Sequence, residues 1–317
     1  MSNSDPIRVF CGSDRSQMLA YKVLAHSIGR HTDRRIEIRP IDNGIAPAPA
    51  DPRNVPYTNF SFARFAIPAL CGHAGRAIYM DSDMLVFSDI GELWDTPMEG
   101  AKIAIEVGSR QEDNRSKQAA VMLLDCAKLD WDVQRIVADL GRRYDYNALM
   151  SVDPLLEPGQ MQERIVTGWN DLDRYEPGRT RNLHYTEIRT QPWVFAAHPL
   201  GYLWVDELAL MLDAGAITES ELEEEVRLGY VRPSLLPQLG LGSEMPGGQT
   251  AARPKDLDPK LLLAFDQASG FVAHKELLAR FAARKRAIAW FRCEQASARH
   301  PWLGPWHRLR FKLRYGD

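Results

Sequence analysis

Arg76-Ala77-Ile78-Tyr79-Met80-Asp81-Ser82-Asp83-Met84-Leu85-Val86-Phe87 carries most of what this chain reveals about itself. Ala77 to Met80 read as a short buried strand that stops at Asp81. Two carboxylates follow, separated by one serine, and then a second apolar run begins. In extended backbone, residues i and i+2 point to the same side, so Asp81 and Asp83 are expected to converge on one divalent cation. Hard cations such as Mg²⁺ or Mn²⁺ take oxygen ligands and share them with substrate phosphates. Such an ion would offset the repulsion of two close like charges. An Asp-x-Asp by itself is a weak pattern that solvated turn acids also satisfy. Wedged between two buried runs, the acids are better explained by a site.

Outward from this strand, the first two thirds of the chain alternate strand-like and helical patterns. Ile7 to Cys11 read as a strand, with Gly12-Ser13-Asp14 as the turn after it. A helix over 16–29 places Leu19, Val23, Leu24 and Ile28 on one stripe, with Gly29 as its C-cap. Ile36 and Ile38 alternate with polar neighbours as a second strand. Residues 43–56 hold four prolines and read as an extended loop. A helix over 59–71 is expected to bend at Pro68. Lys102 to Glu106 and Val121 to Leu124 are further strands, and Asp130 is the expected cap of a helix reaching about Leu140. This alternation predicts an α/β fold: a Rossmann-like, mixed but mostly parallel sheet flanked by helices. Ligands of such sheets bind beyond the carboxyl ends of the strands.

Composition bounds the function. The chain has 317 residues, of which 45% are hydrophobic and 26% charged, which excludes global disorder. Its formal charge is −3, but from Lys275 onward eleven Lys/Arg face three acids, giving +8 there and −11 elsewhere. A protein that coats nucleic acid is thereby excluded, and no nucleic-acid partner is expected. Residues 206–230 read as helical, 233–259 as a Pro/Gly-rich connector, and about 257–295 as another helix. The expected organisation is a catalytic domain over 1–230, a linker over 231–259, and an amphipathic helix with a basic tail over 260–317. Residues 299–315 interleave Arg/Lys with Trp302, Trp306, Leu309, Phe311, Leu313 and Tyr315, a composition suited to an anionic membrane surface. The strict alternation over 308–314 also fits a strand. Cys11, Cys71, Cys126 and Cys293 form no C-x-x-C pair, so reduced thiols in a cytoplasmic protein are expected. Neither a leader pattern at the N-terminus nor an apolar run near 18 residues stands out. The expected location is cytoplasmic, with peripheral contact at the inner face of a membrane.

Tyr79-Met80-Asp81-Ser82-Asp83 followed by an apolar run and Leu93-Trp94-Asp95 resembles the Asp-x-Asp region of family 8 glycosyltransferases. Phe62-Ala63-Arg64-Phe65-Ala66-Ile67-Pro68-Ala69-Leu70 is similar to the family's Arg-containing helix. About a hundred residues on, Leu183-His184-Tyr185 and Thr190-Gln191-Pro192-Trp193 resemble its His-Tyr…Lys-Pro-Trp motif. The resemblance covers residues 7–195. It implies a GT-A-type fold and transfer of a sugar from a nucleoside-diphosphate sugar, a UDP-sugar by family habit, with retention. The acceptor, whether glycan, lipid-linked or protein, stays open; a cell-envelope polysaccharide suits the tail. The implied metal ligands for Mn²⁺ or Mg²⁺ are Asp81, Asp83 and His184. Cys11, Gly12, Ser13 and Asp14 would hold the nucleoside, with Ser82 beside them, and Arg64 would pair with the diphosphate or hold Asp81 and Asp83.

Three departures are visible. Gln191 stands where the family has its diphosphate-contacting Lys, and Arg189 is the expected substitute charge. The interval from His184 to Pro192-Trp193 is one residue longer than usual. Gln118-Ala119-Ala120 replaces an Asn-Ser-Gly that meets the sugar or acceptor; Gln118 and Asp125 remain candidates for hydrogen bonds to it. Glu187, with Asp153 and Asp171, is a candidate acid for the transfer, and Trp169-Asn170 resembles a family Trp-Asn. Two other readings compete: a degenerate sugar-nucleotide-binding or scaffold protein, and an Asp-x-Asp phosphohydrolase with Asp81 as nucleophile and Asp83 as general acid.

Overall fold

A computed structural model describes residues 5–58, 60–108, 119–242 and 257–316. Nine strands are present among them: β1 Ile7–Gly12, β2 Ile36–Ile41, β3 Arg76–Asp81, β4 Met84–Val86, β5 Ile103–Glu106, β6 Val121–Asp125, β7 Met161–Ile165, β8 Asp171–Leu172 and β9 Asn182–His184. The main sheet has the order β2-β1-β3-β6-β5-β7, and a small one the order β4-β9-β8. In the main sheet only β6 runs against the other five strands. The expected mixed, mostly parallel α/β sheet is thus the observed one.

Side-chain alternation buries both faces of this sheet. Phe10, Ala77, Tyr79, Met122 and Leu124 pack on one side with Phe62, Phe65 and Trp131. Val9, Cys11, Ile78, Met80 and Leu123 pack on the other, against Leu24 and Ile28 of helix α1, Met18–Arg30. The remaining stripe of α1, Leu19, Ala20 and Val23, lies against a third cluster that includes Leu85, Leu183, Trp193 and Trp204.

Several local expectations differ from the structure. Helix α1 runs through Gly29 and ends at His31, so Gly29 is not its cap. The helix over 59–71 is a 3-10 turn, Ala63–Ala66, followed by a single turn α2, Ile67–Leu70, in which Pro68 sits near the start where its missing N–H costs nothing. Helix α3 is Ile90–Trp94, and Asp132, not Asp130, caps α4, Val133–Ala138. Helix α5 is Tyr146–Met150.

The last third is α6, Gly201–Asp213; α7, Glu219–Arg227; α8, Leu235–Gln238; α9, Pro259–Ala268; α10, Lys275–Arg299; and α11, Gly304–Tyr315. The described part of the expected Pro/Gly-rich connector is packed against the rest of the chain. Arg232 and Ser234 are buried, and Ser234 donates from both its amide and its hydroxyl to Asp266 of α9 at 2.8 Å. One helix was expected over 257–295; there are two, broken at Ser269 and Gly270. The tail is helical over 304–315, not a strand. No helix among the described residues is long and apolar enough to cross a membrane.

Candidate metal and donor site

The parallel register of β1 and β3 sets Gly12 beside Asp81, so both strands end at one edge of the sheet. The chain then bends: Ser82 donates its amide to the Gly12 carbonyl at 3.1 Å. After this bend β4 leaves the main sheet and pairs antiparallel with β9, with Met84 opposite His184. The Tyr185 amide donates to the Asp83 carbonyl at 2.9 Å, which fixes the imidazole next to the acids. Convergence of the two carboxylates therefore comes from a bend and a second sheet, and not from the strand periodicity that predicted it. One potential ligand atom each from Asp81, Asp83 and His184 lie within 4.8 Å of one another.

Each of the three is held from behind. Asp81 accepts from the Tyr79 hydroxyl and from Arg64 Nη2, the latter at 3.3 Å. Arg64 is itself buried, bonded to the Ser61 and Ala119 carbonyls and lying 4.4 Å over the Tyr79 ring. Asp83 Oδ2 accepts from Gln191 at 2.8 Å. His184 Nδ1 donates to the Asn170 side-chain oxygen at 2.9 Å.

That last bond decides the chemistry of the other ring nitrogen. With the proton on Nδ1, neutral His184 presents a bare lone pair at Nε2, only 3.2 Å from Asp83 Oδ1. Asp83 Oδ1 is buried, and a protonated His184 Nε2 would be its donor. Two lone pairs facing each other repel unless a positive charge joins them. Burial pushes the His184 pKa down, but Asp83 first and Asp81 after it outweigh burial and raise it. Burial pushes Asp81 up, opposed by Arg64 and reinforced by Asp83. The donor set of two carboxylate oxygens and one imidazole fits a divalent cation.

The other predicted positions are placed as follows. Cys11 is wholly buried in the core, and burial pushes its thiol well up, so its side chain meets no ligand. At Gly12 the space a Cβ would take is filled by Tyr79 and Phe60. Ser13 is buried with its hydroxyl on the Asp14 carbonyl, and Asp14 caps the next turn through the amide and hydroxyl of Ser16. The Ser82 hydroxyl points inward to Gln17 Oε1 at 2.8 Å, away from any donor. Glu187 caps the 3-10 turn Ile188–Thr190, and Arg189 is exposed on that turn. Asp171 accepts from Thr180, Asp125 pairs with Lys128, and Asp153 starts a 3-10 turn. Gln118 lies outside the described residues.

Gln191 is fully buried and saturated. Its Nε2 donates to Asp83 and to the Tyr185 carbonyl at 3.0 Å, and its Oε1 accepts from His274 Nε2 at 3.0 Å. Both of its amide hydrogens are thereby engaged within the protein. A cavity of about 340 Å³ opens at the acids, lined by Arg64, Asp81 and Asp83 on one side and by Tyr57, Tyr146 and Phe281 on another. Residue patterns did not single out Gln17, Tyr57, Tyr146, His274 or Phe281. Their partners stand tens to hundreds of positions away, and no local spacing marks them.

Residues 13–133 match the family described as Glycosyl transferase family 8, which meets the resemblance stated above. "Protein CDI" of Arabidopsis thaliana is 36% identical over 98 residues, 30% of this chain and 38% of that protein. The chain thus spans well under half the length of this curated relative. Among solved structures, galactosyltransferase LgtC in complex with donor and acceptor sugar analogs is 15% identical, covering 69% of this chain and 100% of its own, at a TM-score of 0.43. Glycosyltransferase GlyE of Streptococcus pneumoniae is 17% identical, covering 64% and 60%, at a TM-score of 0.46.

Proposed function

We propose, from the family 8 match over residues 13–133, that this chain is a metal-dependent glycosyltransferase taking its sugar from a nucleoside-diphosphate sugar. One observation carries the reading. Asp81, Asp83 and His184 come together at the carboxyl end of β3. A Mn²⁺ or Mg²⁺ held by these three would act as a Lewis acid toward the departing diphosphate.

The chain's own groups do the rest. Arg64, fixed by two backbone carbonyls, brings a permanent positive charge to the Asp81 edge, where negative charge grows as the glycosidic bond to phosphate breaks. Tyr79 and Asn170 hold Asp81 and His184 in orientation before any ligand arrives. The acceptor enters by the cavity that Tyr57, Tyr146 and Phe281 line, and the donor's base is assigned to the turn after β1 by family likeness. UDP as the nucleotide and retention at the sugar belong to this reading by family likeness. A cell-envelope acceptor and a cytoplasmic site of action, with α11 against the membrane, rest instead on the basic, aromatic tail and the scattered cysteines.

Donor hydrolysis tests it. Wild-type protein with Mn²⁺ and a panel of nucleotide sugars is expected to release nucleoside diphosphate from one donor. Asp83→Asn is expected to lower that rate at least about 100-fold at unchanged melting temperature. Undiminished release by the variant removes the metal from the mechanism, and no release from any donor removes the transferase.

A further inference from the structure

His274 comes from outside the segment that matches the family, immediately before α10, yet it reaches the acids through one intermediary. Its ring Nε2 lies 3.0 Å from Gln191 Oε1, and Gln191 Nε2 lies 2.8 Å from Asp83 Oδ2. The amide cannot be reversed. Turning it over would set its oxygen against the Asp83 carboxylate and the Tyr185 carbonyl, two acceptors it now serves as donor. Gln191 must therefore accept from His274, and the imidazole must carry its proton on Nε2. All three members are at least largely buried, so water does not substitute for a missing partner. His274 is itself held in a left-handed backbone conformation (φ 49°), and its ring packs edge-on against Trp193. A bulky residue keeps such a φ only where its surroundings impose it.

We infer that His274 is a positioning residue for the cation site: by fixing the Gln191 carboxamide it ties Asp83 Oδ2 and leaves Asp83 Oδ1 turned toward His184 for the metal. The C-terminal segment is then part of the donor site and not an appendage to it. This rests on the metal reading above but names a different residue and a different bond.

Metal affinity, not turnover, is the measure. Mn²⁺ titrations of the full-length chain, with and without UDP, by calorimetry or by the paramagnetic relaxation of water protons, give the dissociation constant directly. His274→Phe keeps a ring and loses the donor, and it is expected to weaken Mn²⁺ binding about tenfold. His274→Gln places an amide N–H near the position of Nε2 and is expected to restore the affinity to within about twofold. Gln191→Met, which removes the middle of the chain, is expected to weaken binding at least as much as His274→Phe and serves if that variant does not fold. Equal affinities in all four proteins overturn the inference, as does equal weakening in His274→Phe and His274→Gln, which would make the effect one of packing. Wild-type protein that binds no Mn²⁺ overturns this inference and the metal reading together, and so is told apart from the first two results.

Discussion

Gly12 shows how one missing side chain serves both packing and chemistry. A Cβ at this position would lie 2.5 Å from the Tyr79 hydroxyl and 2.6 Å from Phe60 Cδ2. Tyr79 is buried, and its hydroxyl donates to Asp81, so it has nowhere to retreat without releasing that carboxylate. Gly12→Ala is expected to cost about 1–3 kcal/mol of stability, read as a lower melting temperature, and to weaken Mn²⁺ binding. A variant with wild-type melting and affinity would show that Tyr79 does not hold Asp81. The sequence made Asp81, Asp83 and His184 legible because the motifs around them are local. It did not show what Gly12, Ser82 and Gln191 face, because the direction of a side chain at a strand end depends on neighbours far along the chain.

At the level of elements, α11 shows where pattern reading divides. Its alternation over 308–314 fits a strand as well as a helix. The helix prevails because Phe311 packs on Trp290 of α10, with ring centroids 5.0 Å apart, and Arg308 pairs with Glu294 at 3.0 Å. Helical spacing then puts Trp302, Trp306, Leu309 and Leu313 on neighbouring turns, with Trp302 78% and Leu313 81% exposed. Interleaved with Arg308, Arg310, Lys312 and Arg314, this surface suits an anionic bilayer interface. The protein is expected to sediment with phosphatidylserine-containing vesicles and not with neutral ones. Leu313→Ser combined with Trp306→Ala should reduce binding by about tenfold or more, and added salt should weaken it further. Binding that ignores both lipid charge and these substitutions would refute a membrane role for α11.

Across the whole molecule, the C-terminal segment is anchored at three places. Asp266 of α9 receives Ser234, Arg284 of α10 donates to the Arg53 carbonyl at 2.9 Å and lies between the rings of Tyr57 and Tyr146, and His274 meets Gln191. The third anchor makes stability depend on pH. Burial pushes the His274 pKa down from 6.5 to about 4, against the pull of Asp14 and Asp83. The unfolded chain therefore takes up this proton first as pH falls. His274 contributes no pH dependence above about 6.5, and stability drops between about 6.5 and 4. The loss over that window is expected to be about 1–3 kcal/mol larger for wild type than for His274→Gln, which cannot titrate there. Parallel melting curves for the two proteins across the window would contradict the buried neutral imidazole.

The alternation of apolar strands and amphipathic helices determined the α/β sheet, and the likeness of local motifs to those of family 8 glycosyltransferases pointed to Asp81, Asp83 and His184. Both are short-range properties, written in the order of neighbouring residues. Only the tertiary structure decided how the acids converge, because a bend and the pairing of β4 with β9 do it across about a hundred residues. It also decided that Gln191 faces Asp83 and not a phosphate, and that His274 stands behind it. Hydrogen-bond partners inside a core are set by which surfaces must be buried together, and no local pattern encodes that choice.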